Sequence, residues 1–165
     1  MAFEIIDIIN EADEVVGQVE RTPAWDKTRP DPYRLVNILV RRRDGCFLVQ
    51  QRALKKHSNP LRFGASVGGL VAHGESYLVA AHREMKEELN LEIPLRELGK
   101  LDFRRDGRLV SYCMFYEAIC DGPFSGWEEE SERLEFMTLD ELKFMTVRFP
   151  YLFTHGLVEG IARFY

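Results

Sequence analysis

Residues 74–93 read GESYLVAAHREMKEELNLEI, and this stretch limits the fold more than any other in the chain. Leu78, Ala81, Met85 and Leu89 recur at helical spacing, which predicts a helix from about Tyr77 to Leu89 with Ser76 as its N-cap. Asn90 follows, and asparagine is the next choice after glycine for the left-handed residue that closes a helix. On this helix Glu84, Glu87 and Glu88 are spaced i, i+3, i+4, so they share a face roughly opposite the apolar stripe. Like charges four residues apart oppose an isolated helix by about 0.2–0.5 kcal/mol. The crowding needs a cause.

One cause is a plain solvated acidic face, with Arg83 and Glu87 as an i, i+4 ion pair. The other is a ligand. Gly68-Gly69 stands just upstream, where backbone can approach a phosphate closely, and Gly74-Glu75 marks a tight turn into the helix. Clustered carboxylates suit Mg²⁺ or Mn²⁺, which bind protein carboxylates together with substrate phosphates.

Elsewhere the chain alternates short apolar runs with polar turns. Phe3 to Ile9 and Val15 to Glu20 read as a hairpin, and the proline-containing stretch Arg21 to Pro32 reads as irregular. Leu35 to Val40 and Phe47 to Gln51 form a second expected hairpin around Arg43-Asp44-Gly45. A basic loop from Lys55 to Arg62 leads into a short strand or loop through Ser66-Val67-Gly68-Gly69. Leu98 to Arg104 and Leu109 to Ile119 are strands around Asp106-Gly107. Leu134 to Thr138 is a further strand, Leu139 to Met145 a short helix, and Pro150 to Tyr165 a C-terminal helix. Several antiparallel strands with a few helices make the fold class α+β.

At 165 residues the length suits one domain, and a net charge of -5 argues against non-specific nucleic-acid or anionic-membrane binding. The acids among the N-terminal isoleucines are unlike a signal peptide, and the apolar runs are far shorter than a membrane span. Cys46, Cys113 and Cys120 are odd in number and show no CxxC spacing, so neither a disulfide framework nor a zinc site is indicated. A cytoplasmic setting fits.

Read as spacing, the segment is Gly69-x5-Glu75-x7-Arg83-Glu84-Met85-x-Glu87-Glu88-x-Asn90-Leu91. It resembles the signature of the Nudix hydrolases, which cleave nucleoside diphosphates linked to another moiety. The one departure is Asn90, where the family pattern has glycine. The resemblance implies an α/β/α sandwich with a mixed sheet, here carrying an N-terminal β-hairpin extension. It divides a single domain, 1–165, into a hairpin and connector (1–30), a signature loop–helix–loop (68–91) and a C-terminal helix (150–165). By the same resemblance Glu84, Glu87 and Glu88 are metal ligands, Arg83 holds them in position, and Glu75 braces the joint of loop and helix. Gly68 and Gly69 lie against the substrate.

The segments "EIIDIINEADEVVGQVERT", "QQRALKKHSNPLRFGASVGGLVAHGES" and "DGPFSGWEEESERLEFMTLDEL" are similar to the Nudix branch related to isopentenyl diphosphate isomerase. Arg52 and Lys56 match the basic residues that bind the substrate diphosphate there; on their own they read equally well as exposed cations. The isomerase itself is missing its parts. Gly68 replaces its cysteine, Leu70 its metal-binding histidine, no histidine precedes His57, and its acidic pair falls at Leu109 and Ser111.

Glu130, in the run Glu128-Glu129-Glu130 with Glu132, matches an additional catalytic or metal-binding glutamate of many Nudix enzymes, and reads equally well as part of a solvated loop. His73 and His82 flank the signature, and His82 lies near the apolar side of the helix, which suggests a structural role. Phe63, Phe103 and Trp127 are candidates for stacking on a base, though such aromatics are more often core.

The expected activity is metal-dependent hydrolysis of a nucleoside di- or triphosphate, or another nucleoside diphosphate derivative, by water attack at phosphorus. The alternatives are a non-catalytic Nudix domain that binds a nucleotide or a partner, and the isomerase. No downstream proline marks an ADP-ribose hydrolase and no SQPWPFP-like tail marks an NADH hydrolase, so the base stays open, with cytidine and oxidised nucleotides among the options. The expected partner is a small nucleotide or diphosphate, with no stable nucleic-acid partner and no membrane, and a homodimer stays open as well.

Overall fold

The computed structural model describes residues 4–165, so Phe3, the expected start of the first strand, lies outside the described residues. β1 (Ile5–Ile9) and β2 (Val15–Glu20) pair antiparallel as the expected hairpin. The next stretch is not irregular throughout. Thr22 accepts a hydrogen bond from the Trp25 N–H, Pro23 sits at the start, and a short helix α1 (Pro23–Thr28) follows before Arg29 takes a left-handed φ of 39°. Proline is favourable in a first helical turn because its missing N–H has no partner there anyway.

The main sheet contains β3 (Tyr33–Arg41), β4 (Phe47–Arg52), β5 (Phe63–Gly64), β6 (Val67–Leu70), β7 (Arg96–Arg105), β8 (Arg108–Ile119) and β9 (Ser131–Met137). It is mixed: β3 runs parallel to β8, from Tyr33 opposite Ser111 to Arg41 opposite Ile119, and antiparallel to β6. The expected second hairpin is only partly a hairpin. β3 and β4 share one pair, Arg41 with Phe47, and β4 then turns to β5 and β9.

β3 is apolar on both faces because both are covered. Val36, Ile38 and Val40 pack beneath α2 (Tyr77–Leu89), together with Ala80, Ala81, Met85 and Leu89. Leu39 faces the other way with Phe47 and Val49, against Leu142 of α3 (Leu139–Arg148) and Leu157 and Ile161 of α4 (His155–Phe164). The result is the expected sandwich of helix, sheet and helices. α4 begins later than the spacing predicts: Pro150–Leu152 is a single 3₁₀ turn, and Thr154 caps the helix proper. A smaller cluster of Ile6, Trp25, Tyr33 and Leu70 docks the N-terminal hairpin and α1 beside β6. No helix among the described residues is long and apolar enough to cross a membrane.

Candidate active site

α2 spans the predicted residues, Tyr77–Leu89. The Ser76 hydroxyl accepts from the Val79 N–H at 3.2 Å, and Asn90 ends the helix at φ 54°, ψ 40°. Its orientation differs from the periodicity reading. Leu78 is 46% exposed, while Glu84 and Glu88 are only 9% and 8% exposed and lie on the face turned to the sheet; Glu87 alone of the three points out. Two features opposite the helix make room for the carboxylates. Gly69 on β6 has no Cβ, and one placed there would collide with the Glu84 carboxyl group. Gln50 on β4 donates to Glu88 Oε2 at 2.9 Å.

Arg83 organises the loop–helix joint. It donates to both oxygens of Glu75 at 2.8 and 2.9 Å, to the Leu70 carbonyl at 2.9 Å, to Glu84 Oε1 at 2.7 Å and to Glu87 Oε2 at 3.3 Å. Glu75 in turn accepts from the Ala72 N–H at 3.0 Å. These contacts hold the Glu75 carboxyl below its ordinary range, through the Arg83 hydrogen bonds first. The inner carboxylates behave oppositely. Burial raises Glu84 despite Arg83, and burial, followed by the charge of Glu84, pushes Glu88 up to about 8. The site is short of positive charge.

Further positive charge lines the same cleft, of about 680 Å³. Its lining includes Glu84, Glu87, Glu88, Arg83, Gly68 and Gly69 together with Arg52, Lys56 and Glu130. Arg52 ends β4 and donates to the Ser58 carbonyl at 3.0 Å; Lys56, in the following loop, is ion-paired with Glu130. Neither is simply an exposed cation, since burial lowers the pKa of both.

A family model described as the NUDIX domain matches residues 32–155. The chain belongs to the Nudix family. It is thereby a member of a family of hydrolases. It is 31% identical to the Nudix hydrolase YfcD of Escherichia coli over 140 residues, 84% of this chain and 76% of that one. A Nudix hydrolase of Deinococcus radiodurans is 43% identical over 93 residues, and the match spans 54% of this chain and about half, 52%, of that protein. The crystal structure of DR0079 from Deinococcus radiodurans superposes with a TM-score of 0.80 at 32% identity, covering 98% of this chain and 99% of the other. A MutT protein of Methanosarcina mazei, 18% identical with a TM-score of 0.65, shares the fold.

Within this Nudix chain the remaining candidates separate. Phe103 lines the cleft, edge-on to His155 at 5.2 Å, whereas Phe63 packs on Phe153 and Trp127 packs beside α2. His82 is exposed on α2 rather than set on its apolar side. His73 is bound to Asp7 at 2.6 Å, tying the signature loop to β1. The acidic run is only partly solvated: Glu132 accepts from the Leu54 N–H at 2.8 Å while Glu130 meets Lys56.

Gln50 and Asn37 were not among the sequence candidates. The alternation of β4 carries the signal for Gln50, since it shares the face of Leu48, which packs under α2. Asn37 interrupts the apolar run of β3 on the cleft floor. A Cβ at Gly68 would stand 2.6 Å from its Oδ1, and one at Gly156 2.7 Å from its Nδ2.

Whether the acidic group suits a divalent cation can be judged from the donors themselves. All are hard carboxylate oxygens, and the inner pair is buried with too little counter-charge, which is what Mg²⁺ or Mn²⁺ would supply. As they stand the carboxylates are engaged by Arg83 and Gln50, and among the described residues no three His, Cys, Asp or Glu side chains already converge on one metal position. The donor set fits in kind and charge. Arg83 engages one oxygen of Glu84 and one of Glu87, which leaves the second oxygen of each outside those hydrogen bonds.

Proposed function

We propose that the chain is a divalent-metal-dependent pyrophosphohydrolase acting on a nucleoside di- or triphosphate, or another nucleoside diphosphate derivative. The observation that carries this is one cleft lined both by the buried carboxylates Glu84 and Glu88 and by Arg52 and Lys56. Glu84, Glu87 and Glu88 would hold Mg²⁺ or Mn²⁺, which when bound neutralises phosphate charge that the carboxylates alone would repel. Arg52 and Lys56 bind the diphosphate, and Glu130 sets the position of the Lys56 ammonium. Arg83 keeps the helix wall and the Gly69 strand in register through Glu75 and the Leu70 carbonyl. Phosphate held in the cleft is presented to water in line, so positioning and electrostatics carry the rate.

The isomerase reading is weaker on two counts. The histidine position of that enzyme is Leu70, and a side chain at Gly68, the cysteine position, would run into Asn37. A phosphate-release screen over nucleoside di- and triphosphates, sugar nucleotides and dinucleotides with Mg²⁺ and Mn²⁺ tests the proposal. Turnover that ends on chelation and returns with either metal is expected. Binding without turnover across the whole panel would leave a nucleotide-binding domain instead.

A further inference from the structure

Residues before 32 lie outside the stretch matched by the family model, yet Arg21 and Arg29 line the same cleft as Arg52 and Lys56. Their surroundings differ in one respect. Arg21 is neutralised by Glu4 at 2.7 Å and Asp26 at 2.9 Å, and Lys56 by Glu130. Arg52 has no such partner: its guanidinium reaches Ser58, through the carbonyl and the Oγ at 3.3 Å, and no described carboxylate pairs with it. Arg29 comes closest to a carboxylate at Asp26, 3.9 Å away.

What holds Arg29 in place is aromatic rather than ionic. Its guanidinium lies over Tyr33 at 5.2 Å and Trp25 at 5.9 Å from the ring centroids, and donates to the Tyr33 hydroxyl at 3.0 Å. Its Nε is buried and unpartnered. The left-handed backbone at the end of α1 delivers it there. Burial weakens the hold of Arg52 on its proton most, the charge of Glu88 strengthens it, and Arg29 is near enough to weaken it again. The two guanidiniums line one cleft, neither held in a close ion pair, and repel each other unless an anion lies between them. Planar guanidinium forks match phosphate oxygens.

We propose that the N-terminal extension completes the substrate cleft, with Arg29 joining Arg52 as a second guanidinium for a phosphoryl group of the substrate. Resting on the diphosphate reading above, the assignment makes Arg29 a substrate-binding residue outside the family-matched stretch and favours substrates with two or more contiguous phosphates.

Inorganic pyrophosphate without metal isolates the guanidiniums, because the unneutralised carboxylates of the cleft do not attract it. Titration of the full chain in a Trp127→Phe background reads the fluorescence of Trp25 beneath Arg29, with calorimetry as an independent readout. The expected result is a fluorescence change on saturation, a Kd at least tenfold weaker in Arg29→Ala and Arg52→Ala, and an intermediate loss in Arg29→Lys. Arg29→Lys keeps the stem and the charge, so it reports on the fork should Arg29→Ala unfold. No pyrophosphate binding by the parent protein, or unchanged Kd in both Arg29 variants, overturns the proposal. The hydrolase reading fails separately, by absence of turnover with metal, and that failure leaves the pyrophosphate result standing.

Discussion

Gln50 Nε2 donates to Glu88 Oε2 at 2.9 Å across the buried seam between β4 and α2. The same amide also donates to the Ser66 carbonyl and accepts from the Ser131 hydroxyl. One side chain thus joins β9, the β5–β6 connection and the carboxylate helix. Replacing it with leucine keeps the bulk and leaves those buried groups without their partner. Gln50→Leu should destabilise the protein by about 1–3 kcal/mol, the cost of leaving buried polar groups unpaired. Urea unfolding checks this, and a leucine variant as stable as the parent would show that the seam does not depend on the amide.

Stability without metal should fall as pH rises from about 4.5 to about 8, because of Glu88. Its folded pKa is raised to about 8 from an unfolded 4.5, mainly by burial, so in this window the folded protein keeps a proton that the unfolded chain has lost. Stability is then complete below the unfolded value and is lost toward the folded one. Glu88→Gln removes the titration and should be the more stable form at pH 8 by at least about 1 kcal/mol. Thermal melts in chelator between pH 5 and pH 8 check the sign; a parent that gains on the variant as pH rises contradicts it.

The same substitution should be costly for catalysis. Losing one electrostatic stabiliser of a transition state lowers kcat by roughly 10²–10³, and Glu88→Gln should reach that order with a smaller change in KM. Arg52→Ala should act the other way, largely through KM, since the diphosphate is charged in both ground and transition states. Steady-state kinetics with Mg²⁺ on the best substrate of the screen separates the two. Near-normal kcat in Glu88→Gln beside its loss in Arg52→Ala reverses the roles assigned to helix and loop.

Asn90 holds φ at 54°, with its N–H bonded to the Lys86 carbonyl at 3.1 Å. Glycine takes this conformation without strain, so Asn90→Gly should change stability by well under about 1 kcal/mol. A β-branched side chain resists positive φ, and Asn90→Val should cost roughly 1–2 kcal/mol. Equal melting temperatures for the two variants would remove the capping explanation.

The helix Tyr77–Leu89, its two caps and the short apolar strands were legible in the sequence, because caps and periodicity are settled by hydrogen bonds and packing among residues a few positions apart. The contacts of Arg83 with Glu75, Glu84 and Glu87 are local in the same way, lying within one loop and one helix. The orientation of the glutamates was not legible. Periodicity sets the glutamates opposite Leu78, but Glu84 and Glu88 face inward because Gly69 leaves space on β6 and Gln50 offers a donor on β4. Likewise β3 and β4 look like a hairpin locally, yet β8 and β6 flank β3, and that order makes the sheet mixed. Lys56 meeting Glu130, 74 positions away, and Arg29 reaching the cleft from α1 are decided in the same way. Such pairings depend on which strands become neighbours, and that is set by burying both faces of one sheet at once, a condition no short stretch of sequence contains.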